Sequence, residues 1–277
     1  MGETKIEWTA TILPDGTVDP GFSFNPWIGC TKVSPGCKFC YAERDNKRRG
    51  WVDGWGPGFD RKRTSAVNWT LPLKWDRLAA VDGVMRSVFC ASLADVFEDH
   101  PSLPGMQKDL FSLIERCKNL RWLLLTKRPE NIMGVILAAT GYQADVWMRA
   151  NPNVWFGASA ENQRRFDQRV YQMLNLPTDN LFLSVEPMLD GVRSHGAFDG
   201  GRIAWVICGG ESGHGARSMT PLWASNLMED CQLAGVKFFM KQMGTAWAEW
   251  VEVAREDFKG GAPENIPQQL RVREFPW

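Results

Sequence analysis

A repeated alternation of short apolar runs with helical patterns constrains this chain more than any other feature. From Ser87 onward, β-branched or apolar runs recur at residues 88–91, 121–125, 154–156, 181–185, 203–208 and 236–240, each short and of strand-favouring composition. Between them, Leu103, Met106, Leu110, Leu113, Ile114 and Cys117 recur at helical spacings behind a Ser102 cap, which gives one helix an apolar face. Phe166, Val170, Met173 and Leu174 repeat the pattern, as do Leu222, Leu227, Met228 and Cys231. Parallel neighbours cannot be joined by tight turns and need crossovers, which helices supply. The expected fold class is therefore α/β with about six or seven parallel strands and helices outside them, as a full or partial (β/α) barrel or a doubly wound sheet.

The part before Ser87 is less regular. Pro14-Asp15-Gly16 and Asp19-Pro20-Gly21 are turn signatures, so the chain enters through a hairpin or irregular segment. Residues 22–28 suit a short first strand and residues 41–49 a short helix. Residues 50–58 are too rich in Gly and Trp for a regular element and are expected to form a loop. The whole chain, 1–277, is expected to form one domain, since 277 residues with 44% apolar content can bury a full core. The seven cysteines are an odd number, and no run reaches the roughly eighteen apolar residues of a spanning helix. Those features lead to the expectation of a soluble, cytoplasmic protein without a membrane partner. Basic and acidic residues balance at 32 each, so any site for a polyanion must be local.

Polar residues follow every strand. They are Ser92 with Asp95, Thr126-Lys127-Arg128, Ser159 with Glu161, Glu186-Pro187, Gly209-Gly210-Glu211-Ser212-Gly213, and Lys241-Gln242. In a parallel barrel these ends share the face on which active sites are built, although Ser159, Glu161 and Asp95 would equally serve as helix caps. The glycine-rich run suits a nest of backbone N–H groups for a carboxylate or phosphate. Glu186 and Glu211 at strand ends need a cationic ligand, or an internal partner such as Lys127, Arg128 or Lys241.

Three thiols, Cys30, Cys37 and Cys40, fall within eleven residues around a Pro35-Gly36 turn. Three soft anionic ligands suit an iron–sulfur cluster with one iron open, or zinc with a fourth ligand from elsewhere. A redox disulfide between Cys37 and Cys40 would leave Cys30 without a role. Cys90, Cys117, Cys208 and Cys231 sit in apolar patterns and read as core. A P-loop, a dinucleotide fingerprint, H-E-x-x-H and G-x-S-x-G are all absent, and no H-x-E precedes the cysteines as in zinc deaminases. Zinc held by the trio with His195 or His214 is the alternative, and would make this a zinc-stabilised nucleic-acid-binding protein without S-adenosylmethionine (SAM) chemistry.

Several runs together carry a resemblance: the stretch from Asn25-Pro26-Trp27 through Cys30 and Cys40 to Tyr41-Ala42-Glu43, then Leu124-Leu125-Thr126-Lys127-Arg128-Pro129, Ser184-Val185-Glu186-Pro187, and Gly209-Gly210-Glu211-Ser212-Gly213. From about Ile6 to Gly244 the chain resembles the phage-associated three-cysteine-motif family of unknown function, which is related to radical SAM enzymes. Phe39 before Cys40 fits their C-x-aromatic-C ending, while the six residues between Cys30 and Cys37 make a longer gap than is usual there. Gly209-Gly210-Glu211 is similar to their motif for the SAM amino group, but follows a late strand rather than the second. The resemblance implies a radical-SAM-like barrel, with Cys30, Cys37 and Cys40 holding a 4Fe-4S cluster and SAM chelating its open iron. Glu186 and Glu211 would then bind the amine or ribose, Lys127 the carboxylate, and Ser159 with Glu161 the ribose, alongside Gly209 and Gly210. Phe39 and Tyr41 would flank the cluster or adenine, and an electron donor would reduce the cluster.

Two local basic runs suggest the substrate. Lys47-Arg48-Arg49 and Arg61-Lys62-Arg63 bracket a loop with Trp51, Trp55 and Phe59. Cations for phosphates and rings for bases are what a single-stranded or extruded nucleotide requires. Trp51, Trp55, Arg61, Lys62 and Arg63, with Lys241, are the expected contacts to a nucleic acid or nucleotide. A solvated basic face with a Trp-rich loop over the barrel mouth is the plainer account of the same residues.

Overall fold

The computed structural model describes residues 3–13 and 15–277. Its central feature is an all-parallel sheet of seven strands: β1 (Phe22–Ser23), β2 (Arg86–Cys90), β3 (Leu120–Thr126), β4 (Val154–Ser159), β5 (Leu181–Val185), β6 (Ile203–Gly209) and β7 (Lys237–Gln242). The order in the sheet follows the order in the chain, so the strands are wound in one direction as in a (β/α) barrel and not doubly wound. β1 and β7 are the end strands, and the barrel is therefore partial. Among the described residues eight α-helices lie between and after the strands: α1 (Tyr41–Arg49), α2 (Ala66–Asp82), α3 (Pro104–Arg116), α4 (Ile132–Thr140), α5 (Ala144–Ala150), α6 (Gln163–Leu174), α7 (Pro221–Leu233) and α8 (Thr245–Trp250). Among the described residues no helix is long and apolar enough to cross a membrane.

The chain divides into two compact units. The first comprises residues 1–32, 42–156 and 176–178. β2 is buried at all five positions, which is why it reads as a continuous run and not an alternating one. Its register sets Val88 beside Phe22 on one side and Trp122 on the other. Phe22 stacks on Trp75 of α2 with centroids 4.3 Å apart, and Phe24 meets Trp69 and Trp122 edge-on. Phe97, Phe111 and Trp147 continue the aromatic core. The entry hairpin forms between Thr11–Ile12 and Val18–Asp19, with Asp15 Oδ1 accepting from the Thr17 amide at 2.9 Å and Gly16 at φ +83°. Pro14 of the first turn signature lies outside the described residues.

Residues 22–28 do not form one strand. They split into β1 and a second piece, Trp27–Ile28, which pairs antiparallel with Lys62–Arg63. Asn25 and Pro26 cause the break: Asn25 Oδ1 accepts from the Leu93 amide at 2.7 Å, and proline has no ladder donor. Ser102 does not cap α3, whose N-cap is Leu103 without a side-chain bond. Its hydroxyl accepts instead from the Arg61 amide at 3.0 Å.

The second unit comprises residues 33–41, 157–175 and 179–277. Its core surrounds Trp205 of β6, which meets Phe182, Phe239, Phe275 and Trp277. α6 is capped by Asn162, whose side chain accepts from the Arg165 amide at 3.0 Å, so neither Ser159 nor Glu161 is spent on capping. Past β7 the chain returns and pairs antiparallel with it: the Met240 amide donates to Val272 O at 2.8 Å and the Glu274 amide to Phe238 O at 2.9 Å.

Candidate metal centre

Cys30 lies in the first unit and Cys37 and Cys40 in the second. All seven cysteines are free thiols; the trio is half-buried and Cys90, Cys117, Cys208 and Cys231 are buried, as their apolar patterns imply. Among the described residues no three His, Cys, Asp or Glu side chains are gathered in a metal-binding arrangement.

Cys30 follows Gly29, whose φ of +116° and amide bond to Leu93 O at 3.1 Å turn the chain out of the Trp27–Ile28 strand. The segment it enters is held by four buried charges. Arg61 forks onto Glu98, donating from Nε to Oε2 and from Nη2 to Oε1, each at 2.8 Å. Glu98 Oε1 also accepts the Thr31 amide at 2.8 Å. Arg128 donates to Asp95 Oδ2 at 2.8 Å, to Thr31 O at 2.6 Å and to Glu98 Oε1 at 3.3 Å. The same guanidinium puts Nη1 3.8 Å from Cys30 Sγ. Burial, reinforced by the Asp95 and Glu98 charges and opposed by Arg128, pushes the free Cys30 thiol up to about 12. Two cations and two carboxylates sum to zero, the condition under which charges tolerate such burial.

In the second unit, Pro35–Cys37 forms a single 3₁₀ turn, closed by Cys37 N to Ser34 O at 2.9 Å. Two strand-end carboxylates fix it. Glu161 accepts the Gly36 amide at 3.1 Å and pairs with Arg169 at 2.7 Å. Burial would raise its carboxyl, but Arg169, with bonds from Ser34 and the Gly36 amide, holds it below the ordinary range. A side chain at position 36 would bring its Cβ to 3.1 Å from the Glu161 carboxyl carbon, so glycine there lets the carboxylate approach without displacement by a few tenths of an ångström. Glu211 acts through Arg217, which it pairs with at 2.5 Å and which donates onward to Pro35 O at 3.1 Å. The Arg217 guanidinium also lies 5.3 Å from the Phe39 ring centroid.

The other expected site residues are placed as follows. Glu186 pairs with Lys241 at 2.5 Å, so Lys241 faces a carboxylate of its own chain rather than an open surface. In the run expected to form a nest, the Gly210 amide donates to Gln242 O and the Gly213 amide to Thr245 Oγ1, both at 2.9 Å, so these two N–H groups are engaged within the chain. Gly210 is needed for packing, since a Cβ there would come 2.1 Å from Met243 O, and at Gly209 one would touch the Glu186 carboxyl at 3.4 Å. Ser159 is buried, and its carbonyl accepts from Arg169 at 2.8 Å. Lys127 is half-buried, with its amide on Asp95 Oδ2 at 3.1 Å. His195 and His214 are exposed.

The two basic runs behave unequally. Arg61, expected to meet a phosphate, is instead the most deeply buried cation of the ion network, with its side chain wholly inaccessible. Its planar fork matches the Glu98 carboxylate. Lys62 and Arg63 are exposed and point apart as strand neighbours do. Lys62 donates to Trp51 O at 2.9 Å, whereas Arg63 pairs with Asp109 at 2.7 Å and lies 3.8 Å over the Trp69 ring. Lys47, Arg48 and Arg49 are exposed in the last turn of α1, while Phe59 is exposed and Trp51 and Trp55 half-buried in the following loop, which has no regular structure, as expected.

Sequence reasoning did not single out Glu98, Arg169 or Arg217. For Glu98 and Arg169 no local signal existed. Arg217 stands six residues after Glu211 in a Gly-rich loop, a spacing that suggests a loop-internal pair only once the loop is known to fold back.

Residues 3–265 match the model of a family described as a protein of unknown function (DUF5131). No curated protein matches the chain.

Proposed function

Because the chain belongs to this family, whose description assigns no activity, we propose from the chemistry of its own residues that it is an iron–sulfur enzyme using SAM on a nucleic acid or nucleotide. The observation that carries the reading is the trio of free thiols on a short segment whose backbone is held by buried ion pairs in each unit. The donor set fits a 4Fe-4S cluster: three soft ligands, no disulfide among them, and guanidinium groups beside the segment to offset anionic sulfur.

Cys30, Cys37 and Cys40 would hold the cluster, which when bound supplies the electron for cleaving the sulfonium of SAM, after reduction by a low-potential electron donor. Glu161 and Arg217 keep the Ser34 to Phe39 backbone in place, and Glu98 and Arg128 do the same for Thr31. Lys127 offers a cation for the SAM carboxylate, and Glu186 a carboxylate for its amine. Lys47, Arg48, Arg49 and Lys62, beside Trp51 and Phe59, offer phosphate and base contacts.

The test is metal and sulfide analysis of protein purified without oxygen, followed by assay of the reduced protein with SAM. Iron with sulfide, and formation of 5′-deoxyadenosine and methionine, are expected. One tightly bound zinc in colourless protein without response to SAM would establish the zinc-stabilised binding protein instead.

A further inference from the structure

We propose that Arg128 is a positioning residue for the cluster ligand Cys30, donating an N–H to its sulfur and thereby setting the reduction potential of the bound cluster. The inference rests on the reading above. Arg128 Nη1 is 3.8 Å from Cys30 Sγ, within reach of a donor to sulfur, and Nη2 donates to the carbonyl of the next residue, Thr31 O, at 2.6 Å. One rigid guanidinium thus grips both the ligand and the carbonyl just after it. Asp95 accepts from the same Nη1 at 2.8 Å and Glu98 from Nη2 at 3.3 Å, which fixes the guanidinium's orientation, so the N–H aimed at sulfur costs little further ordering.

One-electron reduction places added negative charge on the cluster and its thiolate ligands, which strengthens a hydrogen bond from a cation to sulfur. Such bonds are among the factors that set cluster potentials. Arg128 therefore favours the reduced form.

A second residue supplies the control. Arg61 sits in the same buried network and shares Glu98 with Arg128, but it donates to Glu98, Thr31 Oγ1 and the Gly56 and Phe59 carbonyls, not to sulfur. Lysine at either position keeps the network's charge and removes the fork. The experiment measures the midpoint potential of the reconstituted cluster in wild type, Arg128→Lys and Arg61→Lys, monitored by electron paramagnetic resonance and visible absorbance.

The expected result is about a tenfold lower ratio of reduced to oxidised cluster at a fixed potential in Arg128→Lys, equivalent to about 59 mV in the negative direction, with Arg61→Lys close to wild type. Loss of iron from Arg128→Lys alone also supports the role. Equal potentials in all three proteins, an equal shift in both variants, or loss of iron from both overturns it while leaving the cluster reading intact. Wild-type protein without iron overturns both.

Discussion

The Glu161 carboxylate, just past β4, accepts the amide hydrogen of Gly36 at 3.1 Å across 125 residues of sequence. A residue expected to touch a ribose is thus the anchor of the turn that leads into Cys37. The consequence is that its removal acts on the fold before it acts on chemistry.

Glu161→Gln leaves an acceptor for Gly36 but strips Arg169 of its counter-charge where both side chains are almost wholly buried. Breaking one half of a buried pair costs about 3–5 kcal/mol. A lower urea midpoint with an unchanged slope is expected. An unchanged midpoint would show that Arg169 finds another partner.

The pH dependence of the same pair has a definite sign. The native Glu161 carboxyl is held below its ordinary value by Arg169, Ser34 and Gly36 despite its burial. Its stabilisation is therefore complete above the unfolded value of about 4.3, and is lost as pH falls through the lower native one. The stability difference between wild type and Glu161→Gln should shrink on acidification below about pH 4.3, as measured by urea titration at stepped pH. A difference that grows towards acid would reverse the assignment.

Cysteine substitutions separate ligands from core. Cys30→Ala, Cys37→Ala and Cys40→Ala should each lose most of the iron and sulfide per chain. Cys90→Ala and Cys208→Ala should keep both, because these two side chains are wholly buried in the core, whereas the trio is only half-buried. Retention of iron in all three of the first set would remove the trio from the metal.

For nucleic acid, Lys47, Arg48 and Lys62 changed together to Ala should weaken binding to single strands and flatten the dependence of log affinity on log salt by about 0.7 per lost phosphate contact. Arg61→Ala, by contrast, should lower the thermal midpoint, since it leaves Glu98 buried without its fork. A salt slope identical in the triple variant would dismiss this surface as the binding face.

Gly210→Ala tests the packing account of the glycine-rich run. Its Cβ would meet backbone, Met243 O, at 2.1 Å, and overpacking of this kind costs about 1–3 kcal/mol. Calorimetry should show a lower midpoint whether or not SAM is present. Unaltered stability with weakened SAM binding would restore the ligand-binding role.

The architecture was legible because a buried parallel strand announces itself by composition: Leu181–Val185 is apolar at four of its five positions, and the observed strand has the same bounds as the expected one. α2 was not legible. It carries Pro72 in its interior, and Val67, Leu78 and Val81 are exposed, so its apolar residues trace no single face. The thiols declared a chemistry by type and spacing alone. Their supports did not, since Arg128 meets Thr31 across 97 residues and Arg217 meets Pro35 across 182, and an ion pair made by tertiary folding leaves no local pattern. The Arg61-Lys62-Arg63 run makes the same point: three adjacent cations look alike as letters, yet the fold sends one inward to Glu98 and two to the surface.

The returning segment at Val272 to Glu274 has a bearing on handling the protein as well as on its fold. By occupying the free side of β7, it denies that row of amides and carbonyls to any other molecule, as Glu3 does in miniature beside Phe22 at β1. An exposed strand rim is a template on which a foreign chain can zip up. Truncation before Val272 would uncover Phe238 and Met240 as such a template, and concentrated solutions of the shortened protein should turn cloudy through intermolecular β-association well before the full chain does.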